Sequence, residues 1–152
     1  MEAPAENFFT PVVPLDFVYN YRVGPYIERY LRGFKDKKIL GSKCPGCGKV
    51  VVPARMYCGP CNRRMEELVE VSQEGSLENY TIGHVILEKG AIKPAKGPYM
   101  LGLINLDGTD SLLLGRVEGV SVAAAKPGLR VKAVWKEELD GDFKDLDHFE
   151  PV

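Results

Sequence analysis

The stretch "KCPGCGKVVVPARMYCGPC", residues 43–61, contains all four cysteines of the 152-residue chain. They form two Cys-x-x-Cys pairs, Cys44 with Cys47 and Cys58 with Cys61, and ten residues separate the pairs. Each pair holds two sulfurs close enough to bind one ion. Four thiolates around a d¹⁰ ion give a closed tetrahedral site that leaves no position for substrate or water. The spacing therefore predicts one structural zinc ion.

Iron binding, disulfide exchange and simple burial account less well for the four cysteines. Four thiolates also bind iron in rubredoxin-like centres, but nothing else in the sequence indicates electron transfer. A disulfide-exchange centre needs one exposed Cys-x-x-Cys near a βαβ unit, not two pairs that flank a short strand such as "VVVPAR". Four unrelated core cysteines would not show this regular spacing. Zinc remains the favoured metal.

The first residues and the hydropathy of the chain bear on its location. The start, "MEAPAENFF", lacks the basic leader and apolar stretch of a secretory signal. No apolar run approaches the roughly 18 residues of a membrane span. We therefore expect a cytoplasmic protein without a membrane partner, whose cysteines are reduced and free to bind metal.

The cysteines lie in the most basic part of the chain. Residues 32–64 contain nine basic side chains and one acidic one, a net charge of +8, whereas residues 65–152 have a net charge of −7 and residues 1–31 one of −2. A general nucleic-acid-binding protein would be positive over most of one face. A local basic stretch suits a small polyanion held at one place, although it can also be an ordinary solvated face.

The N-terminal part combines an arm and a helix. Residues 1–23 are rich in proline and aromatic residues, which predicts an extended arm packed on its own domain or on a partner. "GPYIERYLRGFKDK" has helical periodicity and predicts a helix over 25–36. Its apolar face includes Tyr26, Tyr30 and Phe34. This face could be ordinary core, but aromatic residues are enriched at interface centres, and we expect these three to contact a partner.

The rest of the chain has the pattern of a β protein. Segments 67–71, 76–87, 99–107, 111–120 and 130–139 predict strands, because they are β-branched or aromatic-rich and are separated by turn signals. Five such strands, several with internal glycines, indicate a small OB-fold barrel. The predicted fold is therefore mainly β, with an arm and helix over 1–36, a zinc ribbon over 37–66 and a barrel over 67–152.

These parts together resemble a known family. The stretches "ILGSKCPGCGKVVVPAR", "GSLENYTIGHVI", "GPYMLGLINLDGTDSLLLGRVEGV" and "PGLRVKAVW", with the ending "HFEPV", are similar to the acyl-CoA-associated zinc-ribbon/OB-fold family, long labelled a domain of unknown function. Members often have two prolines before the arginine of the first motif, whereas this chain has Pro53 and then Ala54. The arm "PLDFVYNYRVGPYIERYL" is also similar to the small subunits of benzoylsuccinyl-CoA thiolases, which act in anaerobic toluene breakdown.

Members of this family typically serve as small partners of thiolase-like enzymes or of related aldolases that handle acyl-CoA. The resemblance therefore implies an accessory role in a hetero-oligomer, beside a thiolase-like catalytic subunit in the favoured case. Thiolase chemistry needs a cysteine nucleophile with a base beside it, and all four cysteines are assigned to the metal. Coenzyme A would offer phosphates to the basic stretch, where an arginine can make bidentate contacts. Candidates for coenzyme A or acyl-CoA contacts are Arg55, Lys43 and Arg63.

Two rivals belong to other classes. Zinc ribbons and OB folds also occur in modules that bind single-stranded nucleic acid, but the barrel half is acidic and its strands lack alternating aromatic and basic residues. A free-standing carrier of coenzyme A is the other rival. The two histidines, His84 and His148, have no thiol or serine motif beside them in sequence, so we expect no catalysis by this chain alone.

Overall fold

The protein is described by a computed structural model over residues 21–88 and 91–152. Residues 1–20, which hold most of the predicted arm, lie outside this description. Within the described ranges no helix is long and apolar enough to cross a membrane. The elements there are one helix and eight strands: α1 (Gly24–Phe34), β1 (Ile39–Lys43), β2 (Val50–Val51), β3 (Glu67–Val71), β4 (Glu74–Glu88), β5 (Ala91–Leu106), β6 (Leu113–Val117), β7 (Leu129–Trp135) and β8 (Leu146–Pro151).

The zinc ribbon is built on a three-stranded antiparallel sheet with the order β2-β1-β3. β3 pairs with β1 along its whole length, from Ile39 opposite Val71 to Lys43 opposite Glu67. The sequence predicts β3 as a strand, and this is confirmed. Its assignment to the barrel is wrong, because alternation of apolar residues identifies a strand but not its pairing partner.

The barrel contains the predicted number of strands but a different set. Its order is β4-β5-β6-β8-β7, and β4 also pairs with β7. The unpredicted strand β8 takes the place assigned to β3, and it joins β6 through the parallel pair Val117 and Phe149. Phe149 is fully buried, so β8 also contributes to the core. The mainly β fold with a zinc ribbon and an OB-fold barrel is confirmed.

Glycines inside the barrel strands make room for this core. Gly102 and Gly115 lie opposite each other on β5 and β6. A Cβ on Gly102 would lie 2.5 Å from the Leu77 side chain, and one on Gly115 would lie 2.6 Å from the Phe149 ring. Real Cβ atoms do not approach so closely, so side chains from other strands occupy the space above both glycines, as expected for a small coiled barrel.

Helix α1 packs on the barrel of its own chain. Tyr30 and Phe34 are only 2% and 1% exposed. The Phe34 ring meets Trp135 of β7 edge-on, with centroids 5.0 Å apart, and Tyr30 lies 6.4 Å from Phe143. The prediction that Tyr30 and Phe34 anchor a partner is therefore wrong, because Trp135 and Phe143 cover them within the chain. Tyr26 is partly exposed, and its role at an interface stays a prediction.

The ribbon is fastened to the barrel at the turn between β5 and β6. The Val50 N–H donates to a carboxylate oxygen of Asp110 at 2.9 Å, and the Asp110 N–H donates to the Val50 carbonyl at 2.8 Å. The Val52 N–H donates to the Ser111 hydroxyl at 2.7 Å, which in turn donates to the Val52 carbonyl at 2.9 Å. Three of these four bonds use the Asp110 or Ser111 side chain, so the turn holds β2 and Val52 against the barrel mainly through side chains.

Removal of the Ser111 hydroxyl should loosen this junction. Val52 is 1% exposed, so its N–H and carbonyl cannot turn to water when the hydroxyl is lost. We expect Ser111→Ala to lower the free energy of unfolding by about 1–3 kcal/mol, measured by urea denaturation, with zinc retained. Ser121→Ala, which removes an exposed turn contact, should cost less than about 1 kcal/mol. Equal losses in both variants would show that the junction contributes nothing particular.

Candidate metal centre

The two Cys-x-x-Cys motifs fold into two turns with the same hydrogen bonds. In the first, the Cys44 N–H donates to the Lys49 carbonyl and the Gly48 N–H donates to the Cys44 carbonyl. The second repeats both bonds at equivalent positions, from Cys58 to Arg63 and from Asn62 to Cys58. Gly48 and Asn62 both have a positive φ, of 74° and 50°, which glycine and asparagine tolerate best. Each turn is therefore closed by its own local contacts.

The turns bring the four sulfurs into one cluster. The Sγ atoms of Cys44 and Cys61 are 3.3 Å apart, those of Cys47 and Cys58 are 3.6 Å apart, and all four lie within 4.8 Å of one another. A zinc ion with four sulfurs at about 2.3 Å needs sulfurs about 3.8 Å apart. The cluster therefore has the size of a tetrahedral zinc site. Cys44 and Cys58 are buried, whereas Cys47 and Cys61 are exposed.

The electrostatics of the cluster also suit a cation. Amides of the first turn, that of Cys47 foremost, lower the pKa of Cys44 to about 6 against the effect of burial. At Cys58 the Cys61 amide lowers the pKa, but burial and the neighbouring sulfurs outweigh it and raise the pKa to about 12. Four thiolates this close repel one another, and a divalent cation at their centre removes the repulsion. The donor set thus fits zinc in a closed, structural site.

The predicted coenzyme A residues lie around this centre without forming one basic cleft. Arg63 lies over the first turn, because a Cβ on Gly46 would be 2.6 Å from its Cδ. Arg55 is exposed, and its backbone N–H donates to the Ser42 hydroxyl at 2.8 Å. Lys43 lines a cavity of about 260 Å³, and neither Arg55 nor Arg63 contributes to it. The other residues that line this cavity are Pro45, Arg64, Glu66 and Glu67. The two glutamates balance the positive charge of this cavity.

A contact between the helix and the second turn was not apparent from the sequence. The Tyr26 hydroxyl and, to a smaller extent, the Glu66 carboxylate raise the pKa of Arg64. The Arg64 Nε atom also lies 3.2 Å from the Glu66 carboxylate. Arg64 is therefore engaged by its own chain. Helical periodicity places Tyr26 on the apolar face but gives no signal for this partner.

The histidines lie on barrel strands and not in the sulfur cluster. His84 is exposed on β4. His148 is on β8, opposite Val134, and its Nδ1 atom is 2.9 Å from the Asp147 carboxylate. Neither has a described contact with a cysteine. The His148 side chain is only 15% exposed, so it is not the solvated residue that its position near the end of the sequence suggests.

Fold and metal centre together define a class: a four-cysteine zinc ribbon joined to an OB-fold barrel. Residues 32–66 match the family model described as "ChsH2, rubredoxin-like zinc ribbon domain". Residues 68–136 match the model described as "ChsH2, C-terminal OB-fold domain". A "DUF35 domain-containing scaffold protein" of Methanocaldococcus jannaschii is 30% identical over 119 residues, which cover 76% of this chain and 82% of that protein. The chain therefore belongs to the DUF35 family.

Two solved structures are similar over most of the chain. A DUF35 family protein of unknown function from Sulfolobus solfataricus is 28% identical, with a TM-score of 0.61 and coverage of 85% of this chain and 87% of that one. A chain of the "Ltp2-ChsH2(DUF35) aldolase" gives a TM-score of 0.64 at 18% identity, with coverage of 87% and 98%. At 18% identity, the similarity to the aldolase chain shows a shared fold and nothing about function.

Proposed function

We propose that this chain is the non-catalytic, zinc-binding subunit of a thiolase-type acyl-CoA enzyme in the cytoplasm, where it organises the assembly with a separate catalytic subunit. The observation that carries the proposal is the sulfur cluster. It contains all four cysteines of the chain, so no thiol remains for the acyl-transfer step. The nucleophile must therefore come from another polypeptide.

The family relatives support the existence of a partner enzyme. One relative is described as a scaffold protein, and a structural neighbour is described as an aldolase that includes a DUF35 chain. The sequence resemblance to benzoylsuccinyl-CoA thiolases supports three more specific points. These are a thiolase as the partner, an acyl-CoA as its substrate and a role in aromatic-compound degradation. These three points make the proposal more specific than the general role of a subunit with a partner enzyme.

Contact with coenzyme A is a separate part of the proposal. Arg63 and Lys43 flank the first cysteine turn, and Arg55 lies between the two cysteine pairs. Arginine can hold a phosphate through two parallel hydrogen bonds, so Arg55 and Arg63 are the better candidates. Calorimetry of the complex with coenzyme A, compared between the native chain and Arg55→Ala, tests this part without affecting the subunit role.

The subunit role predicts a clear division of activity. The purified chain should show no thiolase turnover, because it has no free nucleophile, and turnover should require the catalytic subunit that co-elutes with it from native cells. His84→Ala should leave the activity of the complex within about threefold, because a catalytic base would cost about 10²-fold or more. The control is the catalytic subunit assayed alone. Turnover by this chain alone would overturn the proposal.

The alternative, a module for single-stranded nucleic acid, lacks a stacking surface in the described residues. Exposed large aromatics there are Tyr21, Tyr57 and Phe143, and none of them lies on a barrel strand. Two barrel aromatics are tied to their own chain: the Tyr80 hydroxyl donates to the Ala125 carbonyl, and the Trp135 ring N–H to the Gln73 side chain. Affinity for single strands that falls steeply with salt would favour this alternative.

A further inference from the structure

An irregularity in strand β5 lies beside a cavity on the barrel. The ladder between β4 and β5 shifts its register between Gly83 and Val85. There the four residues 95–98 of β5 stand opposite the single residue His84 of β4. Extra residues in one strand disrupt the ladder locally and bend the strand. The bent segment borders a cavity of about 530 Å³, which we call the β5 cavity.

The β5 cavity has an apolar wall and two cationic groups. Its volume falls within the roughly 300–1,000 Å³ of pockets that bury small ligands, and such pockets combine mainly apolar walls with a few polar groups that orient the ligand. Its lining includes four apolar or aromatic side chains and two cations: Ile86, Pro98, Tyr99, Leu101, Lys96 and Arg116. The cavity therefore has both the size and the composition of a ligand site.

Tyr99 is a fixed part of this wall. Its ring occupies the space that a Cβ on Gly83 would take, and its hydroxyl donates to the Val85 carbonyl at 2.7 Å. Leu101 lies two residues further along β5 and so on the same face of the strand, and it pairs with Arg116 of β6. Strand pairing and this hydrogen bond therefore shape the wall without help from a ligand.

The position of the cavity in the barrel also suits a ligand. β4, β5 and β6 are the first three strands of the barrel, and all three contribute to the lining. OB folds bind ligands at the second and third strands and at the loop between the first and second. Oligonucleotides need several stacking aromatics, whereas Tyr99 is the single aromatic among the described residues that line the cavity. A smaller ligand is therefore indicated.

The charged residues define the head group of that ligand. Lys96 has no ion-pair partner among the described residues, in contrast to Lys93, which pairs with Glu88 at 2.8 Å. Arg116 pairs with Glu118 at 2.9 Å, and this contact uses only part of a guanidinium with five N–H donors. Two cations and one acid leave a net charge of +1, which one carboxylate balances. A phosphate monoester, with a charge of about −1.5 to −2, fits this balance less well.

We propose that the β5 cavity binds a small monocarboxylate with an apolar body. Its carboxylate lies between Lys96 and Arg116, and its apolar body lies against Tyr99 and Leu101. The site is separate from the sulfur cluster and from the proposed coenzyme A residues, none of which lines the cavity. The inference goes beyond the proposed function, because it concerns a ligand of this chain itself and holds whichever enzyme is the partner.

A titration of the full-length, zinc-loaded chain with 4-phenylbutyrate tests the proposal. This probe joins a phenyl ring to a carboxylate through a short alkyl chain. In the neutral control, 4-phenylbutan-1-ol, a hydroxymethyl group replaces the carboxylate. We expect a dissociation constant of about 1 mM or tighter, as for a small fragment, and about tenfold weaker binding of the alcohol. Changes in amide NMR shifts should centre on Lys96, Gly97, Tyr99 and Arg116.

Two matched pairs of substitutions locate the site. Lys96→Gln removes a cation of the cavity, whereas Lys93→Gln removes one from the same strand outside the lining. Leu101→Ala shortens the apolar wall, whereas Leu103→Ala makes the same change two residues further along β5. Lys96→Gln and Leu101→Ala should each weaken 4-phenylbutyrate binding by about fivefold to tenfold, and both controls should bind within about twofold of the native chain. Zinc content and thermal unfolding verify that each variant is folded.

The contrary outcomes are distinct. The absence of saturable 4-phenylbutyrate binding at tenfold above the expected constant would overturn the site. Equal affinity for the alcohol, or tighter binding of 4-phenylbutyl phosphate, would overturn the carboxylate as head group. Equal losses in Lys96→Gln and Lys93→Gln would show attraction by overall charge in place of a site, and shifts centred on the cysteine turns would place the ligand elsewhere. All these results leave the proposed subunit role intact, because that role is decided by the partner enzyme.

Discussion

Replacement of Cys44 by serine is expected to release the metal and unfold the ribbon. The hydroxyl of serine is a poor ligand for zinc, and three thiolates cannot complete a closed tetrahedral site. Binding of a structural zinc ion is itself folding free energy, about 10–16 kcal/mol in small zinc-finger peptides. The ribbon sheet has only three short strands, of which β2 has two residues, so it has little else to stabilise it. Elemental analysis should give one zinc per native chain and none for Cys44→Ser.

A neighbouring residue provides the control for this prediction. Met65 is fully buried and packs with Cys44 and Cys58 in a small cluster of their own. Met65→Leu disturbs the same packing without removing a ligand, and it should cost less than about 1.5 kcal/mol and keep the zinc. If Cys44→Ser kept both its metal and its thermal transition, the assignment of the metal centre would be wrong. If the native chain held iron, the four-cysteine metal site would stand and only its assignment to zinc would be wrong.

The metal centre could be predicted from the sequence because it is local. Each cysteine turn is closed by hydrogen bonds between residues four and five positions apart, such as Gly48 to Cys44 and Cys44 to Lys49. The spacing of the ligands is then fixed within each turn, and only the meeting of the two turns depends on the rest of the fold. The strands are similarly local, because their alternation reflects one exposed and one buried face.

Strand partners could not be predicted in the same way, because pairing joins residues far apart in the chain. β3 directly precedes the barrel strands and resembles them, yet it pairs with β1. β8 contains a proline and charged residues, so its sequence is a weak strand signal, although Phe149 closes the core. The exposed apolar surface formed by Val85, Leu87, Ile92 and Pro94 could not be predicted either, since it becomes apparent only when the register pairs Leu87 with Ile92.

The helix shows a further limit. Its periodicity correctly predicts a single apolar face, and α1 lies within two residues of the predicted bounds. A single sequence does not tell whether that face meets its own chain or another one. The deciding residues, Trp135 and Phe143, are about a hundred positions away along the chain. Nothing in the sequence around them indicates that they cover a helix.

The internal position of α1 leads to the last prediction. Phe34→Ala should lower the free energy of unfolding by about 3–5 kcal/mol, the usual cost of deleting a buried aromatic ring. The ring is 1% exposed and lies between Tyr30 at 4.7 Å and Trp135 at 5.0 Å, measured between ring centroids, so its loss leaves a cavity where helix and barrel meet. Urea denaturation of the zinc-loaded chain measures the effect.

Phe143→Ala is the matched control, because it removes the same ring from a position that is 54% exposed. Its cost should be about 1 kcal/mol, since the ring is half exposed and loses one aromatic contact, with Tyr30 at 6.4 Å. Phe34→Ala should then lose partner binding only in proportion to its unfolded fraction. A folded Phe34→Ala variant with native stability and no affinity for the catalytic subunit would show instead that this helix face is an interface.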